Sequence, residues 1–179
     1  MEIKIEELKV LFSEEQLQTR IKELAKEMNE FYNGEEVIAI CVLKGAVMFA
    51  VDLVKNLNMP LKLEFIRLSS YGSSTTTSGK VNAVDIQLPD LNGKNVLIIE
   101  DIVDTGLTIK KVKEYLFSIG ALSVEVVTLL DKPSRRVADI YPKYIGFTVP
   151  NEFVIGFGLD YNEKYRNLPY VGVLKEEAI

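Results

Sequence analysis

The sequence predicts an α/β fold, a central and mostly parallel twisted sheet flanked by helices, and three observations carry that expectation. Apolar runs of strand length recur at residues 36–43, 61–68, 96–99 and 123–130. They are nearly continuous rather than alternating, as in parallel strands buried on both faces. Helical patterns fall between them, which is the order expected of strand–helix units. The chain has 179 residues and 47% hydrophobic content, enough for one domain with a substantial core and too little for two large ones.

Taken in order, Ser13-Glu14-Glu15-Gln16 has the form of a capping box. Leu17, Ile21, Leu24, Met28 and Phe31 then recur at steps of four and three, giving one apolar face, and Asn33-Gly34 ends the helix. The apolar run 36–43 runs through Lys44-Gly45-Ala46 into an apolar helix over 47–57. By its residues alone, Lys44-Gly45-Ala46 reads as an ordinary strand-to-helix turn with a solvated lysine more readily than as an anion cradle. Residues 61–68 follow Pro60 as a third strand.

Residues 69–80 are nearly all small, hydroxylated or glycine, so they bury no core. A linker is the plain reading, but 81–88 resume a strand-like pattern and no second large domain follows. A lid or binding loop is therefore favoured.

Val96-Leu97-Ile98-Ile99 is the best-defined strand, and it ends in Glu100-Asp101-Ile102-Val103-Asp104-Thr105-Gly106-Leu107-Thr108. In open α/β sheets ligands bind beyond the carboxyl ends of strands. The small residues of the turn let backbone N–H groups approach a phosphate, and the helix that Thr108 opens adds a favourable dipole. Carboxylates beside such a nest fit a sugar phosphate, the acids taking hydroxyls or a magnesium ion. The helix runs over 108–119 with Ile109, Val112, Leu116 and Ile119 on one face and stops at Gly120. Short strands are expected at 144–149, 153–158 and 170–174.

Several classes are excluded. The chain has no histidine, so neither a Ser-His-Asp or Cys-His arrangement nor a histidine zinc site is possible. Proton transfer falls to a carboxylate, lysine, tyrosine or the lone Cys41, which sits in an apolar run and reads as a buried inert thiol. A metal would be held by oxygen, which suits magnesium. There is no Gly-x-x-x-x-Gly-Lys-Ser/Thr and no Gly-x-Gly-x-x-Gly sequence. A net charge of −5 argues against nucleic acid as a main partner. With no run of 18 apolar residues and no signal-peptide pattern at Met1-Glu2-Ile3-Lys4, no membrane contact and a cytoplasmic setting are expected.

Residues 100–108 resemble the phosphoribosyl pyrophosphate signature of the type I phosphoribosyltransferases. Leu43-Lys44-Gly45-Ala46, Phe65 to Gly72, Leu130-Asp131-Lys132 and Val154 to Glu163 extend the resemblance, in order, to the 6-oxopurine enzymes of that family, from about Ser13 to Leu174. The resemblance implies a single domain over 1–179, with a core at about 13–140, a small hood mainly from about 141–179 and a mobile catalytic loop at about 69–81. It implies transfer of phosphoribose to hypoxanthine or guanine, giving IMP or GMP plus pyrophosphate in purine salvage, with magnesium as cofactor and a homodimer or homotetramer as the assembly.

It also implies roles. Asp104, Thr105, Gly106, Leu107 and Thr108 would wrap the 5′-phosphate, and Glu100 and Asp101 would hold the ribose hydroxyls directly or through magnesium. Asp104 would also face N7 of the purine as general base or acid. Lys132 would read O6, Phe153 would stack on the base, and Ile102 and the Val154 backbone would complete the purine site. Asp160 would serve that site and a second magnesium, and Arg166 the pyrophosphate. Lys44-Gly45 resembles the pyrophosphate-binding turn, which in the family carries a non-proline cis peptide; this reverses the plain reading of that tripeptide. Ser70 and Tyr71 would close the loop over the reaction. Leu107 departs from a basic residue, and Ala46 from a glycine or serine, of some relatives. A regulator that senses phosphoribosyl pyrophosphate while binding nucleic acid is disfavoured by the acidic balance. A xanthine-specialised enzyme is not distinguished by Lys132, since xanthine also carries a 6-oxo group.

Overall fold

The computed structural model describes residues 8–68, 83–85 and 88–174, with only the backbone described for 83–85. Strands β1 (Lys9–Phe12), β2 (Val37–Leu43), β3 (Leu61–Leu68), β4 (Ala83–Asp85), β5 (Asn95–Val103), β6 (Ser123–Asp131), β7 (Tyr144–Thr148), β8 (Val154–Ile155) and β9 (Val171–Val173) alternate in part with helices α1 (Glu14–Tyr32), α2 (Val47–Val54) and α3 (Leu107–Ser118). Six strands form the main sheet in the order β4-β3-β2-β5-β6-β7. Five of them are parallel, and β4 pairs antiparallel on the edge. The predicted fold class is therefore the one observed.

The continuous apolar runs are explained by helices on both faces. In β2, Ala39 and Cys41 point to the face covered by α1 and α2, where Leu17, Leu24, Phe49 and Leu53 are buried with them. Ile38 and Ile40 point to the other face and pack with Ile109, Val112 and Leu116 of α3. A strand with no solvent face has no polar position to alternate with.

Helix α1 begins at the capping box: Gln16 N donates to Ser13 Oγ at 3.3 Å and Ser13 N to Gln16 Oε1 at 2.9 Å. It ends on Asn33, in the left-handed conformation at φ 46°. Phe31, expected on its buried face, is 51% exposed, and Tyr32 is buried instead. Ile119, expected on the apolar face of the helix after β5, lies one residue beyond the end of α3 and is 38% exposed. Helix α2 stops at Val54, short of the expected 57.

Three differences concern the smaller sheet, whose order is β1-β9-β8. Its first strand, β1, lies in a stretch that carried no expected element. The division at about 140 also shifts: β7 is a parallel strand of the main sheet, while β1, from the N-terminal end, pairs with β9. The strand expected over 153–158 is cut to β8, because Gly156, Phe157 and Gly158 all adopt positive φ and cannot extend a ladder.

Candidate active site

The order of the main sheet decides where a site can form. The chain runs outward from β2 to β3, then returns to place β5 on the other side of β2. The carboxyl ends of β2 and β5 thus diverge at a topological switch point, the crevice where open α/β sheets bind ligands. Leu43, Lys44 and Gly45 leave β2 there, and Glu100 to Thr108 leave β5.

On the β5 side, Gly106 at φ 77° caps α3 with no side chain of its own, and among the described residues only Leu107 N has a side-chain acceptor, Thr105 Oγ1 at a long 3.4 Å. The early N–H groups of the helix therefore retain capacity for an anion. A pocket of about 230 Å³ opens over this turn, with Glu100, Ile102, Asp104, Thr105, Gly106 and Thr108 among its walls. Leu107 faces outward, 47% exposed.

On the β2 side, the Leu43–Lys44 peptide is cis, one bond earlier than the Lys44–Gly45 position expected. Gly45 is pressed between two partners. A Cβ there would lie 1.6 Å from Asp101 Oδ2, and a Cβ on Gly158 would lie 2.0 Å from the Gly45 carbonyl oxygen. Only glycine at both places lets the turn touch the acid on one side and the segment after β8 on the other.

Glu100 and Asp101 are adjacent acids at the floor. Burial, reinforced by the neighbouring Asp101 charge, holds the Glu100 carboxyl well above the usual range, and burial also raises Asp101. Cys41 lies nearby, and burial pushes its thiol up to about 12, in keeping with an inert core residue. Such a pair fits magnesium: the donors are oxygens only, and a divalent ion would supply the positive charge that the pair lacks. No cluster of three carboxylates exists among the described residues, so substrate oxygens and water would complete the shell, as is usual for this ion.

The next strand end brings the base-reading candidates. Lys132 N donates to the Val103 carbonyl at 3.0 Å, tying the end of β6 to the end of β5. The Lys132 ammonium donates to the Glu152 carbonyl at 2.9 Å, beside Phe153, which is 45% exposed and meets Tyr161 edge-on at 5.9 Å between centroids. Burial holds this lysine below its usual range, while the Asp104 charge pulls it back up. Val154 is buried in β8.

Cations of the site are already paired. Arg135 Nε meets Asp104 Oδ1 at 3.1 Å, Lys44 Nζ meets Glu163 Oε2 at 2.5 Å, and Arg166 Nη2 meets Asp160 Oδ1 at 2.9 Å. Arg166 also donates to the Gly158 carbonyl at 2.7 Å, and its Nε has no partner among the described residues. Asp160 accepts from Glu163 N at 2.9 Å.

The candidates thus gather around one crevice: Gly45 against Asp101, Lys44 on Glu163, Arg166 near Asp101 and on Asp160, and Lys132 near Asp104 and Phe153. Ser70 and Tyr71 lie outside the described residues. Not foreseen were Gly158, Glu163 as the carboxylate shared by Lys44 and Arg166, and Arg136, whose guanidinium bonds the turn from below. A glycine after a short apolar run was the available signal for Gly158. Nothing local marks Arg136.

A glycine turn opening a helix beside paired acids, at the switch point of a doubly covered parallel sheet, defines a class. A family model, the phosphoribosyl transferase domain, matches residues 11–162, and the chain belongs to that family of enzymes. Within it, a Bacillus subtilis relative named hypoxanthine-guanine phosphoribosyltransferase is 49% identical over 167 residues, covering 93% of each chain. One of the same name from Streptococcus thermophilus is 47% identical over 169 residues, covering 94% of each. The crystal structure of a hypoxanthine phosphoribosyltransferase from Staphylococcus aureus matches with a TM-score of 0.90 at 46% identity, over 96% of this chain and 94% of that one.

Proposed function

We propose that the chain transfers the phosphoribosyl group of phosphoribosyl pyrophosphate to N9 of hypoxanthine or guanine, giving IMP or GMP and pyrophosphate. This is a purine salvage step. The observation that carries the reading is the pairing of Asp104 and Lys132 on adjoining strand ends, one over the phosphate turn and one beside the half-exposed Phe153 ring.

The 5′-phosphate would sit on the turn 104–108, where the uncapped N-terminus of α3 and the Thr105 and Thr108 hydroxyls supply donors. The purine would stack on Phe153, with Ile102 and the Val154 backbone at its edges. Lys132 spends one of its three protons on the Glu152 carbonyl, leaving two for O6. Adenine presents an amino group there, and a site built around a donor rejects a substrate that cannot accept from it. As N9 attacks C1′, the bond from C1′ to the pyrophosphate oxygen breaks and the N7 proton passes to Asp104, a transfer worth ~10²–10⁴-fold. Arg166 and the Lys44-Gly45 turn would receive the leaving pyrophosphate. Bound magnesium, held by Glu100 and Asp101 and by Asp160 at a second position, would neutralise charge on the diphosphate. Ser70 and Tyr71 would exclude water from the reacting carbon.

The test is a purine panel. Incubation with magnesium, phosphoribosyl pyrophosphate and, in turn, hypoxanthine, guanine, xanthine and adenine should yield nucleotide from the first two and none from adenine. No product from hypoxanthine or guanine sinks the reading.

A further inference from the structure

Arg136 occupies the place where the two halves of that proposed chemistry meet. Its Nε donates to the Asp104 carbonyl at 3.0 Å, Nη1 to the Ile140 carbonyl at 2.6 Å and Nη2 to the Val103 carbonyl at 3.3 Å, while Nη2 also bonds the Asp131 carboxylate. The side chain is 7% exposed and Asp131's is 8% exposed. A buried ion pair costs more in desolvation than a surface pair and persists only when its remaining donors are satisfied. Here the nitrogens reach three backbone carbonyls besides the acid.

What the fork holds is specific. Val103 and Asp104 are the last residue of β5 and the first of the phosphate turn, and Asp131 ends β6 immediately before Lys132. The Val103 carbonyl that Arg136 reaches also accepts from Lys132 N at 3.0 Å. The Arg136 stem lies under Gly106, where a Cβ would come within 2.9 Å of Arg136 Cδ. One guanidinium therefore fixes the backbone that carries Asp104 against the strand end that carries Lys132.

We propose that Arg136 is a positioning residue that sets the spacing of Asp104 and Lys132, so that the two address N7 and O6, neighbours on one edge of the purine, at the same time. This rests on the reading of the site given above. A guanidinium suits the task because its donors are coplanar and rigid, whereas a lysine would keep the charge opposite Asp131 and lose the fork. If Arg136 only braced the fold, its loss would lower the melting temperature and leave turnover per folded molecule and purine choice as they were.

The experiment compares wild type with Arg136→Lys and Asp131→Asn by thermal melting and by kcat and KM for hypoxanthine and for adenine. The lysine variant retains the cation and the asparagine variant retains an acceptor, so each disturbs the buried pair less than truncation would, and the melting curves identify the folded protein used for the kinetic comparison. Displacements near 1 Å at a reacting centre cost about 10²-fold. Arg136→Lys is expected to lose about that in kcat for hypoxanthine, and the kcat/KM ratio of hypoxanthine to adenine is expected to fall by about tenfold or more. Asp131→Asn should move both in the same direction and by less. A folded Arg136→Lys protein that keeps both turnover and selectivity near wild type overturns the inference alone. A wild type inactive on hypoxanthine and guanine overturns the function as well.

Discussion

Alanine at Gly45 is the most informative single perturbation, because its effect can be traced to one collision. Gly45 does not adopt a positive φ, so alanine there carries no left-handed penalty. Its Cβ would lie 1.6 Å from Asp101 Oδ2, and ordinary contact begins at 3.4 Å, so the two atoms must separate by about 1.8 Å (3.4 − 1.6). Asp101 is not free to swing away: its Oδ1 accepts from Ile102 N at 2.8 Å, with Glu100 and Arg166 close by. Overpacking of this kind costs ~1–3 kcal/mol, a fall in melting temperature of roughly 2–4 °C per kcal/mol for a chain of this size. The larger effect should fall on activity, since a displaced Asp101 would no longer meet the ribose hydroxyls or metal that the proposed function assigns to it. A loss of about 10²-fold in kcat/KM for phosphoribosyl pyrophosphate is expected. The assay is initial rate against phosphoribosyl pyrophosphate at saturating hypoxanthine and fixed magnesium, for Gly45→Ala, Asp101→Ala and the double variant. Because alanine at 101 removes the colliding oxygen, the double variant should be little worse than Asp101→Ala. Fully additive losses, or a folded Gly45→Ala enzyme with near-normal kcat/KM, would refute the reasoning.

Other substitutions separate the remaining roles. Asp104→Asn should cut kcat by ~10²–10⁴-fold while leaving phosphoribosyl pyrophosphate binding, measured by titration, close to wild type; equal losses in both would reduce Asp104 to a binding residue. Trading Lys132 for Met should narrow the gap between hypoxanthine and adenine in kcat/KM, and an unchanged refusal of adenine would remove O6 reading from this lysine. Glu100 and Asp101 hold protons more tightly in the folded chain than in the unfolded one, chiefly through burial. That contribution to stability is complete below the ordinary carboxylate range and is lost as pH rises through the raised values. Melting temperature without ligand should therefore decline on that rise, Glu100→Gln should flatten the decline, and added magnesium should offset it. An identical pH slope in Glu100→Gln would show that the pair does not govern it.

The chemistry of the site was legible where it is carried by consecutive residues, and lost where it depends on distant ones. The run 96–108 announced itself, because a buried strand, two acids, a glycine turn and a helix start fall within thirteen positions. The capping box and the stripe of α1 were equally local. By contrast β1 has only four residues, none of them fully buried, and its partner β9 lies at the other end of the described chain. Arg136 looks like any cation after a turn until it is seen to bond Asp104, 32 residues away. Glu163 shows its role only when Lys44, 119 residues distant, arrives beside it. The membership of β7 depended on the order of strands in the sheet, which periodicity does not contain.

An acidic chain that takes a polyanionic substrate needs its cations kept in place without making the empty site costly. The pairs found here do this. Lys44 with Glu163 and Arg135 with Asp104 are half-exposed, and pairs of that kind are worth only ~0–1 kcal/mol. Exchanging Glu163 for a diphosphate oxygen on Lys44 and Arg166 would therefore cost little, and the guanidinium regains a bidentate partner in the phosphate. In the function proposed above, Arg135, which meets Asp104 Oδ1 as an ion pair without a hydrogen bond, would likewise yield that carboxylate before it faces N7. On that proposal a purine bound at Lys132 and Phe153 would displace Arg135, coupling entry of the base to release of the carboxylate proposed to accept its proton. Arg136 differs in kind: buried, paired with Asp131 and bonded to three backbone carbonyls, it would keep the turn fixed while Arg135 and the other site cations exchange partners above it.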